Sequence, residues 1–114
     1  MFTAVLFLLA TAVPITVPPP PVVDGFVLLA DDWARPRTGA SVVALPALRD
    51  AVTAWRRDEH AVIRIVHPGG ERGSLWGREV HDWLVALGVP PARLAILAGG
   101  PRDDAVLLRV VPAP

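Results

Sequence analysis

Cysteine is absent from this chain, and its absence removes several kinds of chemistry at once. Without a thiol there is no disulfide, no cysteine-ligated metal and no cysteine nucleophile. The absence does not select a redox compartment, because cysteine-free proteins occur in oxidising and reducing compartments alike. The length of 114 residues is enough for one domain and too short for two.

An excess of charge of either sign is also missing. Lys+Arg and Asp+Glu both number 11, so the formal net charge is zero. Proteins that read nucleic acid carry a basic face, and proteins held on anionic membranes carry a polybasic cluster. The balanced charge therefore argues against nucleic acid as a partner and against electrostatic attachment to a membrane surface.

The first 23 residues contain no charged side chain. Phe2 to Leu9 is a nearly continuous apolar run, and Ala10-Thr11-Ala12 has the small-x-small spacing of a signal-peptidase site. The apolar stretch is broken by Pro14 and is shorter than the roughly 20 residues of a membrane-spanning helix. This pattern predicts a signal peptide or N-terminal anchor over residues 1–17, although no Lys or Arg follows Met1. The alternative is a buried first strand of a cytosolic domain.

Four consecutive prolines, Pro18 to Pro21, follow the apolar stretch. A proline run favours the extended polyproline II form and makes a semi-rigid spacer. We therefore interpret residues 18–23 as a Pro-rich linker and residues 24–114 as the folded domain. If the leader is cleaved, the mature chain has no transmembrane helix.

Hydrophobic periodicity separates the domain into strands and helices. β-branched or alternating apolar runs predict strands, and apolar residues three and four apart predict helices. We expect a loop between the first strand and the first helix, broken only by a short extended piece at Val42-Val43. The predicted strands cover residues 26–30, 61–66, 94–97 and 105–111, and the predicted helices start at Leu45 and after a Ser74 cap.

The predicted order is strand, helix, strand, helix, strand, strand. Helices alternating with strands indicate an α/β domain, an α+β sandwich in which two helices pack on a mixed sheet. Only a short Gly-Gly connector, Gly99-Gly100, and the residues after it separate the last two strands. We therefore expect those two strands to pair with each other as an antiparallel hairpin. Gly88 stands where a left-handed residue ends the second helix.

Two phrases resemble the OmpA-like C-terminal domain, a periplasmic module that binds peptidoglycan. The first is Ile63-Arg64-Ile65-Val66-His67, and the second is the run from Trp83 through Gly88-Val89-Pro90 to Arg93-Leu94. The resemblance covers most of the region from Phe26 to Val110 and implies export and an OmpA-like fold. The family's ligand-binding Asp falls at Gly69 and its Arg falls at Trp76, so neither is matched.

The resemblance implies a function in the cell envelope. The first hypothesis is a non-catalytic, periplasmic binding or assembly domain that acts through contacts with an envelope protein. The second is a peptidoglycan stem-peptide binder, in which Glu71 and either Arg72 or Arg78 hold the charged ends of the peptide. The third is a small uncharacterised enzyme using Asp31, Asp32 or His67, whose acid and base would have to converge on one pocket.

The candidate ligand loop runs from His67 to Ser74, between a strand and the following helix. Ligands of α/β proteins favour the carboxyl ends of strands, and free N–H groups at a helix start attract anions. The candidate ligand-binding residues are His67, Gly69, Gly70, Glu71, Arg72, Ser74 and Arg78. The alternative is a tight connector without a ligand, in which the glycines allow the backbone angles of the turn and Glu71 interacts favourably with the helix dipole.

Trp33 lies among charged residues and is a candidate for an exposed partner contact, or else a lid over the edge of the core. The histidines His60, His67 and His81 lack the spacing of a zinc site, so we expect no metal and no cofactor. Asp31 and Asp32 are predicted to end the first strand, which would point their side chains to opposite faces of the sheet. Catalysis is therefore the least supported hypothesis.

Overall fold

The computed structural model describes residues 24–34 and 38–113. The predicted leader (1–17), the whole Pro-rich linker (18–23) and residues 35–37 lie outside the described residues. The elements in chain order are β1 (Asp24–Leu29), α1 (Ala30–Trp33), α2 (Gly39–Val43), α3 (Pro46–Arg56), β2 (Val62–His67), α4 (Gly70–Ala86), a 3₁₀ turn (Pro91–Arg93), β3 (Leu94–Ala98) and β4 (Ala105–Val111).

The four strands form one mixed sheet in the order β1-β4-β2-β3. β4 is antiparallel to both β1 and β2, and β2 is parallel to β3. The helices pack against this sheet, so the predicted fold class, an α+β sandwich with helices on a mixed sheet, is confirmed, and α1 and α2 are additional to the two predicted helices. Within the described residues no helix has the length and apolarity needed to cross a membrane.

The predicted hairpin between the last two strands is wrong. β4 lies between β1 and β2, and β3 pairs with β2 instead. The register places Ile65 of β2 beside Leu108 of β4 on one side and beside Ile96 of β3 on the other. β2 therefore has two neighbours, which buries it in the middle of the sheet, and the Gly-Gly connector crosses over its end.

One face of the sheet carries the core. Strand side chains alternate, so Ile63 and Ile65 of β2 point to the same face as Val106 and Leu108 of β4, and all four are fully buried. α3 adds Leu48, Val52 and Trp55 from one helical stripe, as its spacing predicts. α4 adds Val80 and Leu84, with Trp76, Trp83 and Leu87 packed at the margin. The Nε1–H of Trp55 donates to the Ala61 carbonyl at 3.0 Å.

Two short helices occupy the region predicted as a loop. α1 continues directly from β1, and α2 begins at a capping box in which the Thr38 hydroxyl accepts from Ser41 N and Ser41 Oγ accepts from Thr38 N. Because that box satisfies the backbone donors at the helix start, Val42 is helical and fully buried rather than extended. The predicted extended piece at Val42-Val43 is therefore wrong.

The predicted helix stop at Gly88 is confirmed. Gly88 has a φ of +104°, which only glycine adopts easily, and Val89 N donates back to the Leu84 carbonyl at 3.0 Å. The chain can then turn into Pro90 and the 3₁₀ turn that starts β3. α4 itself begins at Gly70, with Gly69 at the N-cap position, five residues before the predicted Ser74 cap.

Candidate functional site

Three strands end at the same edge of the sheet, because β1, β2 and β3 all run in one direction. The segments that leave this edge are joined by backbone hydrogen bonds. Ala30 N donates to the Asp104 carbonyl at 2.8 Å, and Gly100 N donates to the His67 carbonyl at 3.0 Å. The start of α1, the start of α4 and the β3–β4 connection are therefore close neighbours at the carboxyl edge.

His67 ends β2 and is buried, with 6% of its surface exposed. Its Nδ1 lies 2.7 Å from the Pro68 carbonyl oxygen, and since a carbonyl can only accept, Nδ1 carries the proton. The ring also faces α4 so closely that a Cβ added at Gly77 would lie 2.7 Å from His67 Cδ2. His67 is therefore a packed residue beneath α4, and it supports the site without opening onto solvent.

Two glycines let α4 approach the end of β2. A Cβ at Gly73 would overlap the backbone carbonyl of Pro68, and Gly77, one turn later, faces the His67 ring and Ile96. Both glycines are buried. Their spacing of four residues places them on one face of the helix. The sequence signal for this contact is the Gly-x-x-x-Gly spacing, which our sequence analysis did not use.

The predicted ligand loop is mostly helix. Only Pro68 and Gly69 lie between β2 and α4, and Gly70, with a φ of +86°, turns the chain into the helix. Ser74 lies one turn inside α4 and does not cap it, so that part of the prediction is wrong. Glu71 is in the first turn, where a carboxylate favours the positive end of the helix dipole.

The two candidate arginines point in different directions. Arg72 is exposed and shares a helical face with Leu75, Trp76 and Glu79, which lie three, four and seven residues on. Arg78 is exposed too, but it lies about 120° around the helix from that face at 100° per residue. The structure therefore brings Arg72, and not Arg78, to the side of α4 that faces α1.

An open groove of about 200 Å³ lies between α1 and α4. Trp33, for which the sequence left open an exposed partner contact or a lid over the edge of the core, is buried at 6% exposure, and its indole forms one wall. The Nε1–H of Trp33 donates to Glu79 Oε2 at 3.1 Å, which ties α1 to α4. Leu75 is 54% exposed at the margin of this groove. The full lining is Ala30, Trp33, Ala34, Arg72, Leu75, Trp76 and Glu79.

Trp76, which lines the groove, carries an unusual polar atom. Its Nε1 is buried and has no hydrogen-bond partner among the described residues. A buried indole N–H without an acceptor costs free energy, so it is usually satisfied by a protein group or by a bound molecule. The groove therefore combines an apolar surface with an arginine at its rim and a carboxylate already engaged by Trp33, while the Trp76 nitrogen lies behind the groove wall.

The predicted acidic pair does not end a strand. Asp31 and Asp32 lie in the first turn of α1, with Asp31 exposed and Asp32 half-buried. Neither residue lines the groove, and neither does His67. The acid and base required by the enzyme hypothesis thus do not converge there.

The histidines and acidic residues are also dispersed. His60 lies in the turn between α3 and β2, and His81 Nδ1 lies 3.1 Å from Asp82 Oδ1 on the outer side of α4. In the part of the chain that the structure describes, no three His, Asp or Glu side chains gather as a metal site. At the sheet edge, Arg102 donates two hydrogen bonds to Asp104 at 2.8 Å, and that pairing holds the pKa of the Asp104 carboxyl below its ordinary value.

Sequence reasoning missed Leu75, Glu79, Ala30 at the start of α1 and Ala34 just after it as members of this site. Glu79 reaches Trp33 across 46 residues of sequence. The available signal was the helical spacing from Arg72 to Glu79, but the opposite wall depends on α1, which the sequence did not predict. Comparison with known proteins adds no assignment, since no protein-family model and no curated protein sequence matches this chain.

Proposed function

We propose that this chain is a non-catalytic binding domain of the cell envelope, and that it takes an apolar side chain of a protein partner in the groove between α1 and α4. The observation that carries this proposal is the groove wall of Trp33, Leu75 and Trp76. Tryptophan and leucine on a concave surface supply the apolar anchor site typical of protein recognition.

Polar groups at the groove would orient the bound partner. The Nε1–H of Trp33 donates to Glu79 Oε2 at 3.1 Å, which holds the two walls of the groove together. Arg72 at the rim is exposed and suits a carboxylate of the same partner. The location in the envelope rests on the apolar, uncharged N-terminal stretch and on the resemblance to the OmpA-like domain.

Photo-crosslinking from the groove tests the proposal. A photoreactive amino acid in place of Leu75, in the full chain within its native cells, should give one discrete adduct with an envelope protein. The control carries the same group in place of Asp82, which lies on the outside of α4 with 81% of its side chain exposed. Adducts of equal yield from both positions, or from neither, would contradict the proposal.

The stem-peptide hypothesis predicts a different result. The purified full chain would then be retained on isolated peptidoglycan, and Arg72→Ala would lower retention severalfold while Arg78→Ala would not. Arg78 serves as the matched control because it lies on α4, is equally exposed and lies off the groove. Retention that depends on Arg72 would replace the protein-contact proposal with a peptidoglycan-binding one.

A further inference from the structure

β3 forms an open edge of the sheet, and its composition is unusual for that position. It pairs with β2 on one side only within the described residues. Natural proteins usually protect such an edge with charges, a proline or a bulge, because its free N–H and C=O groups can pair with another chain. β3 reads Leu-Ala-Ile-Leu-Ala, without any of these protections, and Ile96 and Leu97 are 37% and 41% exposed.

The size pattern of β3 is self-complementary. When the strand is laid antiparallel to a copy of itself about a two-fold axis at Ile96, Leu94 lies opposite Ala98 and Ala95 lies opposite Leu97. Each leucine then faces an alanine, and Ile96 faces its own copy. Directly opposed side chains are the unit of contact between antiparallel strands, so a large residue placed opposite a small one packs without a clash or a gap.

We propose that two copies of this chain pair through β3, antiparallel and centred on Ile96, so that their sheets join into one sheet of eight strands. Such a two-fold interface uses the same surface of both copies and closes on itself. The pairing gives hydrogen-bond partners to the free N–H and C=O groups of β3, and it covers the side chains of Ile96 and Leu97. An uncharged edge fits this partner, because a second copy brings no charge to the contact.

The dimer and the groove use opposite sides of α4. The groove residues Arg72, Leu75 and Glu79 face α1, whereas β3 lies under the side of α4 that contains Gly77. Both surfaces can therefore be occupied at once, and the dimer does not depend on the function proposed for the groove.

Sedimentation velocity on the full chain tests the pairing. We expect a dimer at micromolar concentration, and we expect Leu97→Lys to raise its dissociation constant by about tenfold or more through the loss of one buried leucine. The matched control is Val27→Lys. Val27 lies on β1, the opposite edge strand; its side chain points to the same face of the sheet as Leu97 and is 47% exposed. The Val27→Lys change should therefore leave the dimer intact. Circular dichroism confirms that both variants fold.

A disulfide tests the register itself, because the chain has no cysteine of its own. Residues opposite each other on antiparallel strands have Cα atoms about 4.5–5.5 Å apart, within the range a disulfide spans. Ile96→Cys should therefore form a linked dimer under mild oxidation, whereas Leu94→Cys should link only when mixed with Ala98→Cys. A monomeric full chain, a dimer lost through Val27→Lys alone, or efficient linking of Leu94→Cys to itself would overturn the proposal.

Discussion

At the scale of single residues, the contact between α4 and the end of β2 depends on two missing side chains. Gly73 touches the Pro68 backbone and Gly77 touches the His67 ring, so neither position has room for a methyl group. Glycine inside a helix costs about 1 kcal/mol relative to alanine. Here that cost is offset by the close packing that buries His67.

Adding a methyl group at these positions should therefore destabilise the protein. We expect Gly73→Ala to lower the free energy of unfolding by about 1–3 kcal/mol despite its better helix propensity, because the Pro68 backbone cannot move aside easily. Gly77→Ala should cost less, since a ring can shift. The control is Gly39→Ala in α2, where nothing lies within 4 Å and stability should hold or rise. Urea denaturation of the three variants gives their free energies of unfolding. Equal changes for Gly73→Ala and Gly39→Ala would disprove the packing argument.

The tryptophan indoles make a second comparison between residues. Trp55 Nε1 donates to the buried Ala61 carbonyl, whereas Trp76 Nε1 is buried without a partner among the described residues. Trp55→Phe should therefore lower the free energy of unfolding by about 1 kcal/mol more than Trp76→Phe does, because it leaves a carbonyl unsatisfied. Thermal or urea unfolding gives the two values. A larger loss for Trp76→Phe would show that its indole has an acceptor after all.

At the scale of elements, the sheet has a face that the helices do not cover. On that face, one row of apolar side chains crosses all four strands: Val27, Leu107, Val66 and Leu97. In the next row on the same face, Arg109 of β4 lies directly opposite Arg64 of β2. Both arginines are exposed, and neither has an ion-pair partner among the described residues. Like charges directly opposite each other on antiparallel strands are destabilising.

Reversing one of these charges should stabilise the sheet. Arg109→Glu replaces the repulsion with an opposite-charge pair, and we expect a gain of about 0.2–1 kcal/mol that shrinks at high salt. The double variant Arg64→Glu with Arg109→Glu restores like charges and should lose that gain. Urea unfolding at low and high salt measures both. A lower free energy of unfolding for the single variant Arg109→Glu would show that repulsion between Arg64 and Arg109 does not destabilise the sheet.

At the scale of the whole molecule, the buried core residues range along the sequence from Leu28 to Val110. Both longer helices, α3 and α4, and three of the four strands contribute fully buried side chains to this core. The one exception, β3, contributes only the half-buried Leu94 at its start. This arrangement explains why β3 retains an exposed apolar edge. The groove and the β3 edge are two surfaces on which the described domain leaves large apolar side chains in contact with solvent.

Export is a prediction at this same scale. If the predicted leader is cleaved at the Ala10-Thr11-Ala12 site, the mature protein isolated from its native cells should begin at Val13. N-terminal sequencing together with the intact mass decides this. A chain that still begins at Met1, recovered from the cytosolic fraction, would instead support the alternative of a cytosolic domain.

The sequence by itself determined the local elements with a strong period. The stripe of Leu48, Val52 and Trp55 predicted α3, the β-branched run predicted β2, and Gly88 predicted the end of α4. These predictions hold because a helical or alternating pattern and a left-handed glycine act within a few residues of chain. Together with the order of elements they were enough for the fold class.

Only the tertiary structure decided which strands are neighbours and which side chains meet. The short connector favoured a β3–β4 hairpin, but the buried strand β2 gains two partners when β4 pairs on one side and β3 on the other. The groove was beyond prediction for the same reason. Trp33 and Glu79 are 46 residues apart, and their contact depends on how α1 and α4 pack on the sheet, which no local pattern specifies.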